Sequence, residues 1–233
     1  MITSVILISL GMISMLIFLY GKMHGYSLKT VIVKSIASSL FVALAIYLYV
    51  YKGFPNIGLY FVLGAIFGLL GDIILALKRI ITSKQGLFKI LGFLSFAIGH
   101  ILYVTGLYVN YYAQGHVLAI IIPVIISLLM GASSLLIEKL FKVDFGSYKP
   151  AAILYLTLLS SLSISALALN IITEFRSTFL ILVLVGGVLF ATSDLTLCRT
   201  YFGKSNSKAE LIIYTVTYYL AQFLLAFSLF YLL

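Results

Sequence analysis

The sequence predicts an all-α protein, a polytopic transmembrane bundle of about eight helices. Three observations predict it. Hydrophobic residues fill 63% of the 233 positions and charged residues only 9%, a balance far from that of a water-soluble domain. The apolar residues fall into runs of about 20, the length a helix needs to cross a bilayer. Turn formers separate these runs, and the connections alternate between rich and poor in Lys and Arg.

The runs lie near residues 2–20, 30–51, 56–77, 87–109, 116–137, 150–171, 177–198 and 210–233. Inside lipid each backbone N–H and C=O must bond within its own segment, so every run reads as a helix. The first lacks the cationic leader and small-residue cleavage pattern of a secretory signal, and it reads as a span. Gly21 to Gly25 ends it, Gly53-Phe54-Pro55-Asn56 ends the second, and Ser83 to Gly86 ends the third. Asn110 to Gly115, Asp144 to Pro150 and Gly203 to Lys208 follow the fourth, fifth and seventh. Pro55, Pro123 and Pro150 all read as lying near helix ends. The connections are too short for a soluble domain, so residues 1–233 form a single integral membrane domain. Cys198, the one cysteine, lies in an apolar run and reads as a packing residue.

The first, third, fifth and seventh connections hold Lys22, Lys29, Lys78, Arg79, Lys84, Lys89, Lys139, Lys142, Lys149, Arg199, Lys204 and Lys208. Lys52 and Arg176 stand alone in the second and sixth. The positive-inside rule then places the odd connections in the cytoplasm and both termini outside, in a multi-pass cell-membrane protein. A nucleic-acid partner is not expected despite the net charge of +9, because the basic residues sit between apolar runs rather than on one face.

An ionised side chain near the bilayer centre costs about 2.5–3.5 kcal/mol on insertion scales, so ionisable groups there require compensation. Of six acids only Asp72 and Asp194 interrupt apolar spans, and of three histidines only His100 does; His24 and His116 border connections. Counting about 1.5 Å per residue from the basic ends, both acids lie roughly 8–9 Å inside, with Lys34 at a similar depth and His100 at roughly 15 Å. Tyr218 and Gln222 of the last helix bracket the same levels. Polar groups from five helices converging on one half of the membrane imply a cavity open towards the basic side. For His100 alone, a hydrogen-bonded packing role is the commoner outcome, and Lys34 is near enough to its helix end to snorkel.

The halves 1–110 and 116–233 echo each other at an offset of 122 residues. Gly71-Asp72-Ile73-Ile74-Leu75 answers Ser193-Asp194-Leu195-Thr196-Leu197, and Gly99-His100-Ile101-Leu102 answers Ala221-Gln222-Phe223-Leu224. This reads as two parallel four-helix repeats about an axis along the membrane normal, with the two acids facing one another.

Gly71-Asp72 with Leu75, Gly99-His100 with Tyr103, Gly187 through Phe190 leading into Ser193-Asp194, and Tyr218-Tyr219 followed by Gln222 together resemble the YhhN family of membrane proteins, the lysoplasmalogenases. The resemblance runs from the second helix to the C-terminus. One departure is that the family's Lys-Pro in the second helix is Lys34-Ser35 here, which bears on helix shape rather than on the lysine. The resemblance implies hydrolysis of the vinyl ether bond of a lysoplasmalogen, releasing a fatty aldehyde and a glycerophosphoethanolamine or glycerophosphocholine. The expected partners are thus a lysophospholipid substrate and the surrounding membrane lipids, with no cofactor.

A vinyl ether resists nucleophiles but hydrolyses once a proton reaches its β-carbon, giving an oxocarbenium ion that water captures. Two carboxyl groups in low dielectric suit this chemistry, since repulsion and desolvation keep one protonated while the other stays ionised. One of Asp72 and Asp194 is expected to be the acid, and the other to stabilise the cation and orient or deprotonate the water. His100 is expected to position water or serve as an alternative base. Tyr103, Tyr155, Ser193, Tyr218 and Gln222 are the polar candidates for substrate binding. Lys34 is a candidate for the phosphate or for holding one Asp ionised. A zinc centre is disfavoured because catalytic zinc usually takes three protein ligands rich in His, although His100 with Asp72 and Asp194 would make a conceivable trio. A rival reading from the same residues is a small proton-coupled transporter with an Asp/His relay.

Overall fold

Lipid leaves a chain of this composition no option but to bond its backbone internally, and the described residues contain helices and turns without a strand. The computed structural model describes residues 1–111, 117–140, 142–203 and 207–232. Its helices are α1 (Ile2–His24), α2 (Leu28–Tyr51), α3 (Asn56–Leu77), α4 (Gln85–Tyr111), α5 (Leu118–Ala132), α6 (Ser134–Leu140), α7 (Lys149–Ile172), α8 (Thr178–Phe202) and α9 (Lys208–Ser228). Among the described residues eight segments are long and apolar enough to cross a membrane, with α5 and α6 together forming the fifth. His116 and Lys204, assigned above to connections, lie outside the described residues.

Local signals set the helix ends. Gly53 and Phe54 turn the chain with positive φ values of 74° and 62° before Pro55 starts α3. Ser27 opens α2 with a capping box in which Thr30 Oγ1 accepts from the Ser27 N–H at 3.3 Å. Ser177 Oγ accepts from the Leu180 N–H at the start of α8. Pro123 departs from expectation: it lies inside α5. Proline has no N–H for the carbonyl four residues back, which is that of Ala119, and Tyr108 Oη of α4 lies 3.2 Å from that carbonyl oxygen.

Within each half consecutive helices pack side by side, and the halves meet where α4 packs on α7 and where α1, α2 and α3 pack on α9. The pairing follows the 122-residue offset. Helices α7, α8 and α9 begin within one residue of the positions that offset assigns from α2, α3 and α4. The α1–α2, α2–α3 and α3–α4 contacts have counterparts in α5–α7, α7–α8 and α8–α9. Phe41, Phe61, Phe179 and Tyr219 are fully buried between the helices, whereas Ile121, Leu128 and Leu129 face outward, as lipid-facing side chains do.

All four odd connections meet at one end. Arg79 lies over the Tyr26 ring, Lys89 lies over the Tyr148 ring, and the Asp144 N–H donates to the Phe202 carbonyl. At the opposite end Lys52 sits over Phe230.

Candidate active site

Asp72 sits five residues before the end of α3 and is 2% exposed. A carboxylate so buried needs its lone pairs filled, and three other helix positions fill them. Lys34 Nζ, from α2, lies 2.7 Å from Oδ1. Ser38, one turn further along α2, donates to Oδ2 at 2.5 Å, and Tyr218 of α9 donates to the same oxygen at 2.7 Å. Behind Tyr218 the donors continue in one direction: Gln222 Nε2 donates to Tyr218 Oη at 3.2 Å, and Tyr103 Oη donates to Gln222 Oε1 at 3.1 Å. Tyr219 Oη is 3.2 Å from Ser38 Oγ and donates to the Lys34 carbonyl. Each link polarises the next towards the anion.

Asp194 on α8 is half-buried and differently served. Tyr155 of α7 donates a hydrogen bond to its Oδ2, and no ion pair among the described residues reaches it. The two acids thus share a setting but not a partner set.

Both line one cavity of about 310 Å³ that runs among α1, α2, α3, α4, α7, α8 and α9. Its walls are mainly apolar, with Phe93, Phe96, Leu156 and Leu159 among them. Lys34, Tyr155, Ser193 and Tyr218 also line it. Ser193 spends its hydroxyl on the Tyr214 carbonyl, 2.8 Å away, which ties α8 to α9.

His100, Tyr103 and Gln222 are not in the lining. Tyr103 and Gln222 act one layer back, through Tyr218. His100 is 2% exposed; its Nδ1 donates to the Phe96 carbonyl at 2.9 Å, and its ring packs edge-on against Phe190 and Tyr155. That bond fixes the neutral tautomer with Nε2 as acceptor, and Nε2 has no partner among the described residues. No cluster of three His, Cys, Asp or Glu side chains placed to hold a metal occurs among the described residues.

Sequence reasoning missed Ser38, Tyr219, Lys22 and Arg79. Ser38 follows Lys34 by four positions, the spacing that puts two side chains on one helix face. Lys22 and Arg79, read as connection charges, line the cavity near its basic end, where Lys22 Nζ lies 4.5 Å from the Tyr214 ring centroid. Tyr26 and Tyr201 line it too. With 17 tyrosines in the chain, no single one stands out.

Fold and site together define a polytopic helical membrane protein that holds two carboxyl groups in an apolar cavity near its basic end. The chain belongs to the YhhN family, whose model matches residues 30–229. No curated protein and no solved structure matches it.

Proposed function

We propose that the protein is a membrane-embedded lysoplasmalogenase, which hydrolyses the vinyl ether bond of a single-chain 1-alkenyl-glycerophospholipid. The observation that carries the reading is the unequal provision of two acids in one apolar cavity. Asp72, with a cation and two hydroxyl donors on it, is a fixed anion. Asp194 has one hydroxyl donor and, among the described residues, no cation at ion-pair distance, and this reading makes it the neutral acid. Family membership fits a hydrolase.

In this mechanism the lipid tail lies along the apolar wall and the vinyl ether sits between the acids. Asp194 delivers its proton to the β-carbon, and the electron pair of the double bond forms the new C–H bond. The oxocarbenium ion so formed lies beside the Asp72 carboxylate, whose charge it partly neutralises. Water attacks the cationic carbon and gives its proton to the newly ionised Asp194, which restores the acid. The hemiacetal collapses as its hydroxyl proton moves to the glycerol oxygen, so one water is consumed and one aldehyde and one alcohol are released. His100, whose Nε2 has no hydrogen-bond partner among the described residues, packs edge-on against Tyr155 rather than touching substrate. The basic end of the bundle is cytoplasmic in this reading.

The test is aldehyde release from lysoplasmalogen by purified protein. Asp194→Asn is expected to lower turnover by about 10²–10⁴-fold, the usual worth of a positioned acid. Asp72→Asn is expected to lower it comparably while lysophospholipid still binds. Full turnover in both variants overturns the proposal.

A further inference from the structure

A second cavity, of about 360 Å³, adjoins the first at the basic end. Its lining includes Lys78, Arg79, Lys89, Tyr148, Thr200 and Tyr201, and Arg79, Tyr148 and Tyr201 are shared with the acid cavity. The ion pairs among the described residues join Lys34 to Asp72, Lys149 to Glu138, Arg176 to Glu174 and Arg199 to Glu210. None includes Lys78, Arg79 or Lys89.

These three cations are held by aromatic faces instead. Lys78 Nζ lies 3.7 Å from the Tyr201 ring centroid, Lys89 Nζ lies 4.0 Å from that of Phe202 and 4.6 Å from that of Tyr148, and the Arg79 guanidinium lies 5.0 Å from that of Tyr26. A ring face positions a cation without neutralising it. Three positioned, uncompensated cations around a polar hollow attract an anion with several acceptor oxygens. Lys34, the other phosphate candidate, is committed to the Asp72 side chain.

We propose that Lys78, Arg79 and Lys89 form a phosphate subsite that anchors the glycerophosphate headgroup of a single-chain lipid whose reactive bond lies at Asp72 and Asp194. The subsite rests on the reading of the acid cavity as a lipid-hydrolysing site, and it specifies how substrate is registered there. Lys78 follows Asp72 by six residues, about 9 Å along a helix. The five bonds from the sn-1 ether oxygen through glycerol to phosphorus cover most of that distance, and the lysine side chains cover the rest. The headgroup therefore sets which bond of the lipid meets the acids.

The experiment titrates purified full-length protein in nanodiscs with three probes: 1-acyl-lysophosphatidylethanolamine, a monoacylglycerol of the same tail, and inorganic phosphate. Binding of the lysophospholipid is expected to weaken about tenfold or more in Lys78→Gln/Lys89→Gln, the loss of at least one charge-assisted contact. Monoacylglycerol binding is expected to stay unchanged, which also establishes that the variant is folded. Lys139→Gln/Lys142→Gln, altered at exposed positions of the same end, is expected to bind all probes as wild type does. Inorganic phosphate that binds wild type but not the variant identifies free phosphate as a sufficient ligand. A loss confined to the lysophospholipid identifies the lipid headgroup; either result supports the subsite. Unchanged lysophospholipid affinity, or an equal loss in Lys139→Gln/Lys142→Gln, overturns it. Lysine-dependent binding in a protein that releases no aldehyde from lysoplasmalogen sinks the hydrolase reading and leaves the phosphate site standing, whereas aldehyde release with lysine-independent binding does the reverse.

Discussion

The two acids occupy matching positions on helices related by the 122-residue offset, and their neighbours explain why they differ. Leu156 stands where the offset would repeat Lys34, and Phe96 stands opposite Tyr218. The cation and one hydroxyl therefore exist on one side only. Breaking a buried ion pair by removing one partner costs about 3–5 kcal/mol, because the remaining charge is left in low dielectric. Lys34→Met is expected to destabilise the protein by that order and to lower turnover, read as detergent-solubilised thermal unfolding and aldehyde release. Adding Asp72→Asn to Lys34→Met is expected to recover most of the stability and none of the activity, since a neutral amide needs no counter-charge but cannot stabilise a cation. If the double variant stays as unstable as the single one, Lys34 acts through packing and not through charge. Asp72 and Asp194 were legible in the sequence because a carboxylate in an apolar run has no cheap explanation. Ser38 and Tyr219 were not, because hydroxyl side chains satisfy themselves on local carbonyls so often in lipid that only coordinates tell which ones reach across helices. The same holds for His100, whose Nδ1 is spent on the Phe96 carbonyl of its own helix.

At the level of the helix, the hydrophobic runs marked all eight spans, since lipid imposes one backbone solution and a minimum length. What the runs did not report was the interruption of the fifth at Ser133 or the place of Pro123, whose missing backbone bond a neighbour replaces. Tyr108 supplies the repair at Ala119, and its hydroxyl also lies 2.7 Å from Ser165 of α7. Tyr108→Phe is expected to cost about 1–3 kcal/mol, the penalty of an unsatisfied buried carbonyl. Pro123→Ala restores the N–H, so the double variant is expected to lose less than the sum of the two single changes in a double-mutant cycle. Strict additivity would mean that the tyrosine serves only Ser165. Close approach of α3 to its neighbours rests on glycine in the same way. A Cβ at Gly64 would stand 2.6 Å from the Tyr103 ring, and one at Gly68 would stand 2.5 Å from Gln222 Nε2. These two positions hold the outer links of the donor chain to Asp72. Gly68→Val is therefore expected to lower turnover by moving Gln222 off Tyr218, with the helical circular dichroism spectrum unchanged.

Across the whole molecule, charge is distributed by depth: an acid pair in an apolar chamber, then aromatic-held cations, then the exposed basic connections. In the proposed function that gradient draws an anionic headgroup towards one end and leaves its tail among apolar side chains. Lys78, just beyond the end of α3, reports on the gradient. Burial first, then the charges of Lys89, Arg79 and Lys34, brings its ammonium down from the usual lysine range to about 8. Tyr201, whose ring it covers, also faces it, and Tyr148 lines the same hollow. A phosphate beside Lys78 favours the protonated form, so headgroup affinity is full below about pH 8 and falls as the ammonium deprotonates above it. The apparent KM for lysoplasmalogen is accordingly expected to rise between pH 7 and pH 9 by up to about tenfold, the limit set by losing one charge per site. Lys78→Arg carries a guanidinium that stays charged throughout this range, and its KM is expected to be flat with pH while kcat follows the wild-type profile. A KM that rises equally in Lys78→Arg would assign the pH dependence to the acids rather than to the headgroup site. Because KM reads the cation cluster and kcat reads Asp72 and Asp194, the two profiles separate the two layers of the site in one titration.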